Sequence, residues 1–283
     1  MNLYHLKYFC DAIKLNSLGE SARLNHVSPG AVSQAIGKLE ILLDVKLLEH
    51  KRRLLKPTQQ GLKLFKKGQI LLKDFDELKC SLMDNGDISG EITFATQQSI
   101  AISFLPRILK KFKNNFSKIT PQFKLGTTSF VQESLENGGI DFAITLDNVD
   151  IKRSSSMVLY KGKFVFIKKK GLNIQDHSFI LTERTREVRK LEKDYLKRFK
   201  TKLPISMQIN SWGVIKKMVA EGHGVGFIPD YLLDKRDGKI EIVDLKLPDY
   251  FFQIHLVYLN GVSLNKRTKI FIDFLEKNMK ASI

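Results

Sequence analysis

The chain has 283 residues, 43% of them hydrophobic and 27% charged, the composition of an ordinary folded protein large enough for two or three domains. No run of 18 apolar residues occurs, the first twenty residues lack a basic segment followed by an apolar one, and only Cys10 and Cys80 are cysteines, so a membrane span, a secretory leader and a disulfide framework are not expected, and a cytosolic protein is. A formal charge of +17 points to polyanions, nucleic acid before membrane, although the excess is spread along the chain: residues 1–60 hold nine Lys and Arg against five Asp and Glu, and residues 91–283 hold 33 against 20.

Ser17-Leu18-Gly19-Glu20 fits a capping box and predicts a helix start. Asn25-His26 breaks that helix, and Ser28-Pro29 gives a second start, a cap followed by proline in the first turn. Two helices this close read as a helix-turn-helix. In the second, Val32, Ile36, Leu39 and Leu43 form an apolar stripe, while the other side carries Gly30, Ser33, Gln34, Gly37 and Lys38. A glycine inside a helix costs roughly 1 kcal/mol relative to alanine, so this bare face is either a surface for close approach to a DNA major groove or a solvated face with indifferent glycines. Two short strands, 45–49 and 54–56, are expected next, joined by His50-Lys51-Arg52-Arg53, a cationic tip suited to phosphates.

Here the chain becomes recognisable: residues 3–61 resemble the winged helix-turn-helix of LysR-type transcriptional regulators. Leu6, Phe9, the Ser17 start, Ala22, Leu24, Val27-Ser28, Ala31-Val32-Ser33, Ile36, Leu39-Glu40, Leu43, Val45, Leu47 and Thr58 to Gly61 fall on the family pattern. Pro29-Gly30 stand where the family usually has Gln followed by Pro or Ser, and Asp44, Leu48, His50 and Pro57 also depart from it. Pro29 offers no side-chain donor, which leaves Ser33 and Gln34 as base readers. The DNA-binding set expected is Ser28, Gly30, Ser33, Gln34, Lys38, His50, Lys51, Arg52, Arg53 and Thr58.

After Gly61 a helical pattern places Leu64, Gly68, Leu71, Phe75, Leu78 and Leu82 at heptad spacing. Such a seam needs cover, from a partner chain in preference to its own domain, and the resemblance implies a dimer through Leu64, Leu71, Phe75, Leu78 and Leu82, or a tetramer built from dimers. Asp84 to Asp87 reads as the hinge.

From Gly90 strands alternate with helices, predicting an α/β domain with a largely parallel sheet. The whole chain is thus expected to be α/β with an all-α, winged N-terminal domain: residues 1–60 for DNA, 61–89 as linker and hinge, and 90–283 for an effector. The resemblance implies two lobes in the last part, about 90–160 with 263–283, and 161–262, built like a periplasmic binding protein. Gly90-Glu91-Ile92, Leu105-Pro106, Gly139 to Ala143 and Val219 to Pro229 are its landmarks there.

Ligands of open α/β sheets bind beyond the carboxyl ends of strands. Those ends are Thr96, Gln97, Gln98 and Ser99; Thr127, Thr128 and Ser129; Thr145; Thr182 and Arg184; and Ser211 and Trp212. They suit a small polar effector, an anion if Arg184 pairs with it, or else they are ordinary turn and cap residues. Gly222 to Gly226 lacks the Lys-Ser/Thr of a phosphate loop and reads as a helix-to-strand turn. No metal spacing and no Gly-x-Ser-x-Gly elbow appears, so neither an enzyme nor a cofactor is expected. The partners expected are duplex DNA, a small effector, further copies of the chain and RNA polymerase; the rival reading is a solute-binding or enzymatic α/β domain with a non-specific basic appendage.

Overall fold

The computed structural model describes residues 2–49, 55–82, 88–146, 154–173, 178–183, 185–234, 238–260 and 264–280, without the side chains at 77, 80, 81 and 280. The first three helices, α1 (Leu3–Leu15), α2 (Leu18–Leu24) and α3 (Pro29–Leu43), each begin on a side-chain acceptor. Asn2 accepts from the Tyr4 N–H at 2.8 Å, Ser17 from Glu20 at 3.2 Å and Ser28 from Ala31 at 3.1 Å. The capping box is only half made, because Glu20 turns to Arg23 at 2.6 Å instead of reaching back. His26, at φ 54°, makes the turn between α2 and α3.

Leu6, Phe9, Ala12, Ala22, Val32, Ile36, Leu39 and Leu47 form the shared core. Leu43 does not join it: it is 39% exposed, since α3 outruns its neighbours after Leu39. The wing strands are shorter than expected, β1 (Leu48–Glu49) pairing antiparallel with β2 (Lys56–Pro57). Its cationic tip lies outside the described residues.

The linker helix α4 (Gln59–Leu82) corrects the single-seam expectation. A Cβ on Gly68 would meet Leu6 Cδ1 at 2.8 Å and Cys10 Sγ at 3.1 Å, and Leu64 packs on the same core, so the first half of the seam is used within the chain. Leu71, Phe75, Leu78 and Leu82 stay 43%, 45%, 55% and 80% exposed. The expected hinge at 84–87 lies outside the described residues.

Among the described residues, the strands of the remainder form one nine-stranded sheet spanning both lobes. Its strands are β3 (Gly90–Thr96), β4 (Ile119–Leu125), β5 (Phe142–Leu146), β6 (Ser154–Lys169), β7 (Phe179–Leu181), β8 (Ile205–Gln208), β9 (Val225–Pro229), β10 (Ile240–Val243) and β11 (Tyr250–Leu259). The order is β4-β3-β5-β11-β6-β9-β7-β8, with β10 also on β6. It is mixed rather than largely parallel: β4, β3 and β5 are parallel in one lobe and β9, β7 and β8 in the other, while β11 and β6 run antiparallel through the middle. Those two strands cross between the lobes, their register shifting at Ile254/His255. Strand β11, placed in the second lobe from sequence, pairs with β5 along Ile254–Val257 and so serves both.

Helices α5 (Gln98–Asn115), α6 (Thr128–Glu136) and α9 (Lys266–Lys280) flank the first lobe, and α7 (Arg186–Phe199) and α8 (Trp212–Glu221) the second. The α8-to-β9 turn is made as the sequence suggested: Gly222 caps α8 at φ 94°, and a Cβ on Gly224 would lie 2.4 Å from the Ser178 carbonyl oxygen.

Candidate DNA interface and effector cleft

Ser33, Gln34 and Lys38 are exposed on the side of α3 opposite Val32, Ala35, Ile36 and Leu39. Among the described residues, nothing lies within 4 Å of where a Cβ on Gly37 would sit, and Gly30 would meet only a capping oxygen two residues back, Ser28 Oγ, at 3.8 Å. Ser28 and Thr58 are committed locally. Ser28 caps α3, while the Thr58 hydroxyl donates to the Lys46 carbonyl at 2.6 Å and accepts from the Gly61 N–H at 3.0 Å, starting α4. His50, Lys51, Arg52 and Arg53 lie outside the described residues.

Glu40 is a positioning residue that sequence reasoning matched to the family without giving it a task. Its carboxylate accepts from the N–H groups of Leu47 at 2.8 Å and Leu48 at 3.3 Å and from Lys46 Nζ at 3.0 Å, fixing the wing to the end of α3. Burial alone would raise its pKa, but the Leu47 N–H, Lys46 and the Leu48 N–H outweigh that and hold it below the ordinary carboxylate value. Cys10 is buried, and burial followed by the charge of Asp11 pushes its thiol up to about 12, which keeps it un-ionised and inert.

At the carboxyl ends of β3 and β5 the structure gathers Thr96, Gln97 and Thr145. Gln97 Nε2 donates to Thr145 Oγ1 at 2.6 Å, and Thr96 and Thr145 are buried. Thr96 Oγ1 and Gln97 Oε1 are buried with no hydrogen-bond partner among the described residues, and such atoms cost free energy unless something fills their need. Ser99, in the first turn of α5, meets the Tyr231 hydroxyl at 3.0 Å, a contact from one lobe to the other.

Tyr231 follows β9 in a short 3-10 turn, Asp230–Leu232. Its ring stands 5.4 Å from Phe104 and 5.6 Å from Phe252, and Tyr160 donates to Asp230 Oδ1 at 3.2 Å. Burial first, then the Asp230 charge, pushes the Tyr160 hydroxyl up to about 12, so it stays a donor. Asp230 and Tyr231 were absent from the expected site, although their place just beyond β9 obeys the same strand-end rule that named Thr96 and Thr145.

Other expected cleft residues have local tasks. Thr127 caps α6 by accepting from Phe130, and Ser211 caps α8 by accepting from Val214, both at 3.4 Å. Trp212 packs edge-on against Phe164, rings 5.7 Å apart. Gln98 and Ser129 are exposed, Thr128 is half-buried, Thr182 is buried at the end of β7, and Arg184 lies outside the described residues. Among the described residues no cluster suited to a metal ion occurs, and no helix is long and apolar enough to cross a membrane.

A winged helix-turn-helix joined through a helix to a two-lobed α/β domain is the build of a transcription regulator with a ligand-binding half. Residues 3–62 match the family of bacterial regulatory helix-turn-helix proteins of lysR type, and residues 85–280 match the LysR substrate-binding domain. The chain belongs to the LysR family and is a LysR-type transcriptional regulator. Among its relatives, the transcriptional activator IlvY of Haemophilus influenzae is 23% identical over 87% of this chain and 89% of its own. A full-length OxyR variant from Pseudomonas aeruginosa superposes with a TM-score of 0.76 at 18% identity, covering 99% of this chain and 98% of that one. LysG from Corynebacterium glutamicum, solved with bound effector Arg, gives 0.68 at 15% identity, with 99% of each chain covered. At these identities the solved structures speak for the fold.

Proposed function

We propose that α3 lies in the major groove of duplex DNA, with Ser33 and Gln34 reading base edges and Lys38, the start of α3 at Ser28 and Gly30, and the wing tip His50-Lys51-Arg52-Arg53 meeting phosphates. The observation that carries this reading is Gly37, an interior helical glycine for which the described residues of the chain supply no reason. The exposed Leu71, Phe75, Leu78 and Leu82 support a homodimer, itself able to pair into a tetramer, on a pseudo-palindromic operator. In this reading residues 1–60 hold DNA, 61–89 join the copies, 90–283 hold the effector, and RNA polymerase is the further partner of a cytosolic regulator without catalysis.

The effector is a small polar molecule bound between the lobes at Thr96, Gln97 and Thr145. The buried, unpartnered Thr96 Oγ1 and Gln97 Oε1 support that position, and the Ser99 to Tyr231 contact supports a cleft that closes. The bound Arg of the similar LysG is consistent with a ligand of that polarity.

Selection of bound sequences from a random duplex pool, at about physiological salt where non-specific binding is weak, tests the DNA half. Enrichment of a two-fold-symmetric site is expected. Strong binding at low salt with no enrichment would overturn it, since α3 would then touch DNA without reading it.

A further inference from the structure

Among the described residues, the linker helix touches the first lobe at two adjoining places. Gly138, at φ +70°, brings its backbone so close that a Cβ there would lie 2.5 Å from Ile70 Cγ1. One turn along α4, Lys73 Nζ lies 2.5 Å from Asp141 Oδ1. Asp141 is only 8% exposed, and its other oxygen accepts from the Thr93 N–H at 2.6 Å while its own N–H donates to the Thr93 carbonyl at 2.6 Å. A carboxylate buried to this degree needs its cation, because an unpaired charge there is strongly unfavourable.

Beside this contact α1, α4 and the lobe leave a cavity of about 820 Å³, lined among others by Lys7, Lys14, Glu91 and Arg267. The helix is therefore held at a few points and not by a continuous apolar core. Lys124 on β4 is held below its ordinary pKa by burial and by Lys14 of α1, so like charges oppose the same docking.

The two strands fastened at Asp141 are the two that end in the cleft. Strand β3 carries the chain from Thr93 on to its end at Thr96, and β5 follows Asp141 and reaches Thr145, on the order of 10 Å in each case at the usual rise per residue. They pair in parallel register, Phe94 with Phe142 and Thr96 with Ile144. Any shift of Thr96 or Thr145 relative to the second lobe is thus delivered along stiff paired backbone to Asp141.

We propose that Lys73–Asp141, with Ile70 seated on Gly138, is a latch through which the cleft sets the position of the linker helix, a regulation that rests on reading the cleft as the effector site. Occupation of the cleft moves β3 and β5 and loosens or tightens the latch, which changes the angle at which α4 presents the DNA-binding domain. The coupling is reciprocal, as linkage requires.

Hydrogen exchange read by mass spectrometry on the full chain tests it without effector or operator, using wild type, Lys73→Gln, Thr145→Val and the double variant. Thr145→Val keeps the shape of a buried side chain and removes the acceptor of Gln97 Nε2. Lys73→Gln is expected to speed exchange at residues 66–76 and 90–95, and also at the cleft residues 96–101, by roughly tenfold. Thr145→Val is expected to alter exchange at 66–76 in the wild-type background and to lose that effect in the Lys73→Gln background. Thr145→Val without effect on 66–76, or an equal effect in both backgrounds, overturns the latch. Failure of the duplex selection with this exchange pattern intact would remove the operator reading and leave the latch standing.

Discussion

Two pairs of glycines in the DNA-binding half face opposite ways. A Cβ on Gly61 would sit 2.1 Å from the Leu47 carbonyl oxygen, and one on Gly68 would meet Leu6 and Cys10, so the chain's own packing demands both. Gly30 and Gly37 look outward into room that a methyl group would fill without contact closer than 3.8 Å. An inward glycine is explained by what the fold brings against it. An outward one, in a helix that would be more stable with alanine, gains nothing from that packing and leaves room for something that approaches from outside.

That contrast can be broken by substitution. Gly61→Ala should be the most damaging change, destabilising the DNA-binding half by roughly 3 kcal/mol or more in a thermal melt, because the obstacle is backbone and cannot turn aside. A mild effect would mean that the wing base shifts freely. Glu40→Ala should follow, at roughly 2 kcal/mol, since it strands the Leu47 and Leu48 N–H groups and unfastens the wing. Glu40 also carries a pH signature. Its folded pKa lies below the unfolded value of 4.5, so its contribution is present above that value and is lost as pH falls through the folded pKa. Acid titration of wild type against Glu40→Gln should show this loss in the wild type alone.

Gly68→Ala should cost about 1 kcal/mol, less than Gly61→Ala because the obstructing Leu6 Cδ1 is the end of a flexible side chain and alanine favours the helix. On the outward face stability should hardly change and DNA binding should. Ser33→Ala or Gln34→Ala should relax sequence preference by about 1–3 kcal/mol at one position of the selected site, while Arg52→Ala weakens all duplexes alike. Uniform loss in all three would reassign α3 from reading to anchoring.

Much of the DNA-binding half was legible because its signals are local. A hydroxyl three residues before an N–H is a cap wherever the helix goes, so Ser17 and Ser28 could be read directly. The second arm of the capping box failed for an equally local reason, Arg23 offering Glu20 a better partner. The linker seam was legible in its spacing but not in its division, because only the fold reveals that α1 takes Gly68 and leaves Leu71 and Phe75 outside. In the other half Ser154–Tyr160 and Ile240–Val243 were not foreseen as strands. The former pairs with a strand about a hundred residues away, and the latter is only four residues long and is made a strand by the edge of β6 it joins. At the strand ends, the rule picked out Thr96, Gln97 and Thr145, of which the structure joins Gln97 to Thr145, but passed over Tyr231, whose contact depends on Ser99 from the opposite lobe.

The central claim is that the bare face of α3 lies on DNA, and Gly37→Ala tests it most directly when melting temperature and affinity for the selected duplex are measured on the same protein. The account predicts opposite signs: a helix more stable by up to about 1 kcal/mol, and a duplex bound more weakly because the new methyl group occupies the approach. A gain in stability with affinity unchanged would contradict it, since the outward glycines would then be indifferent and the face merely solvated.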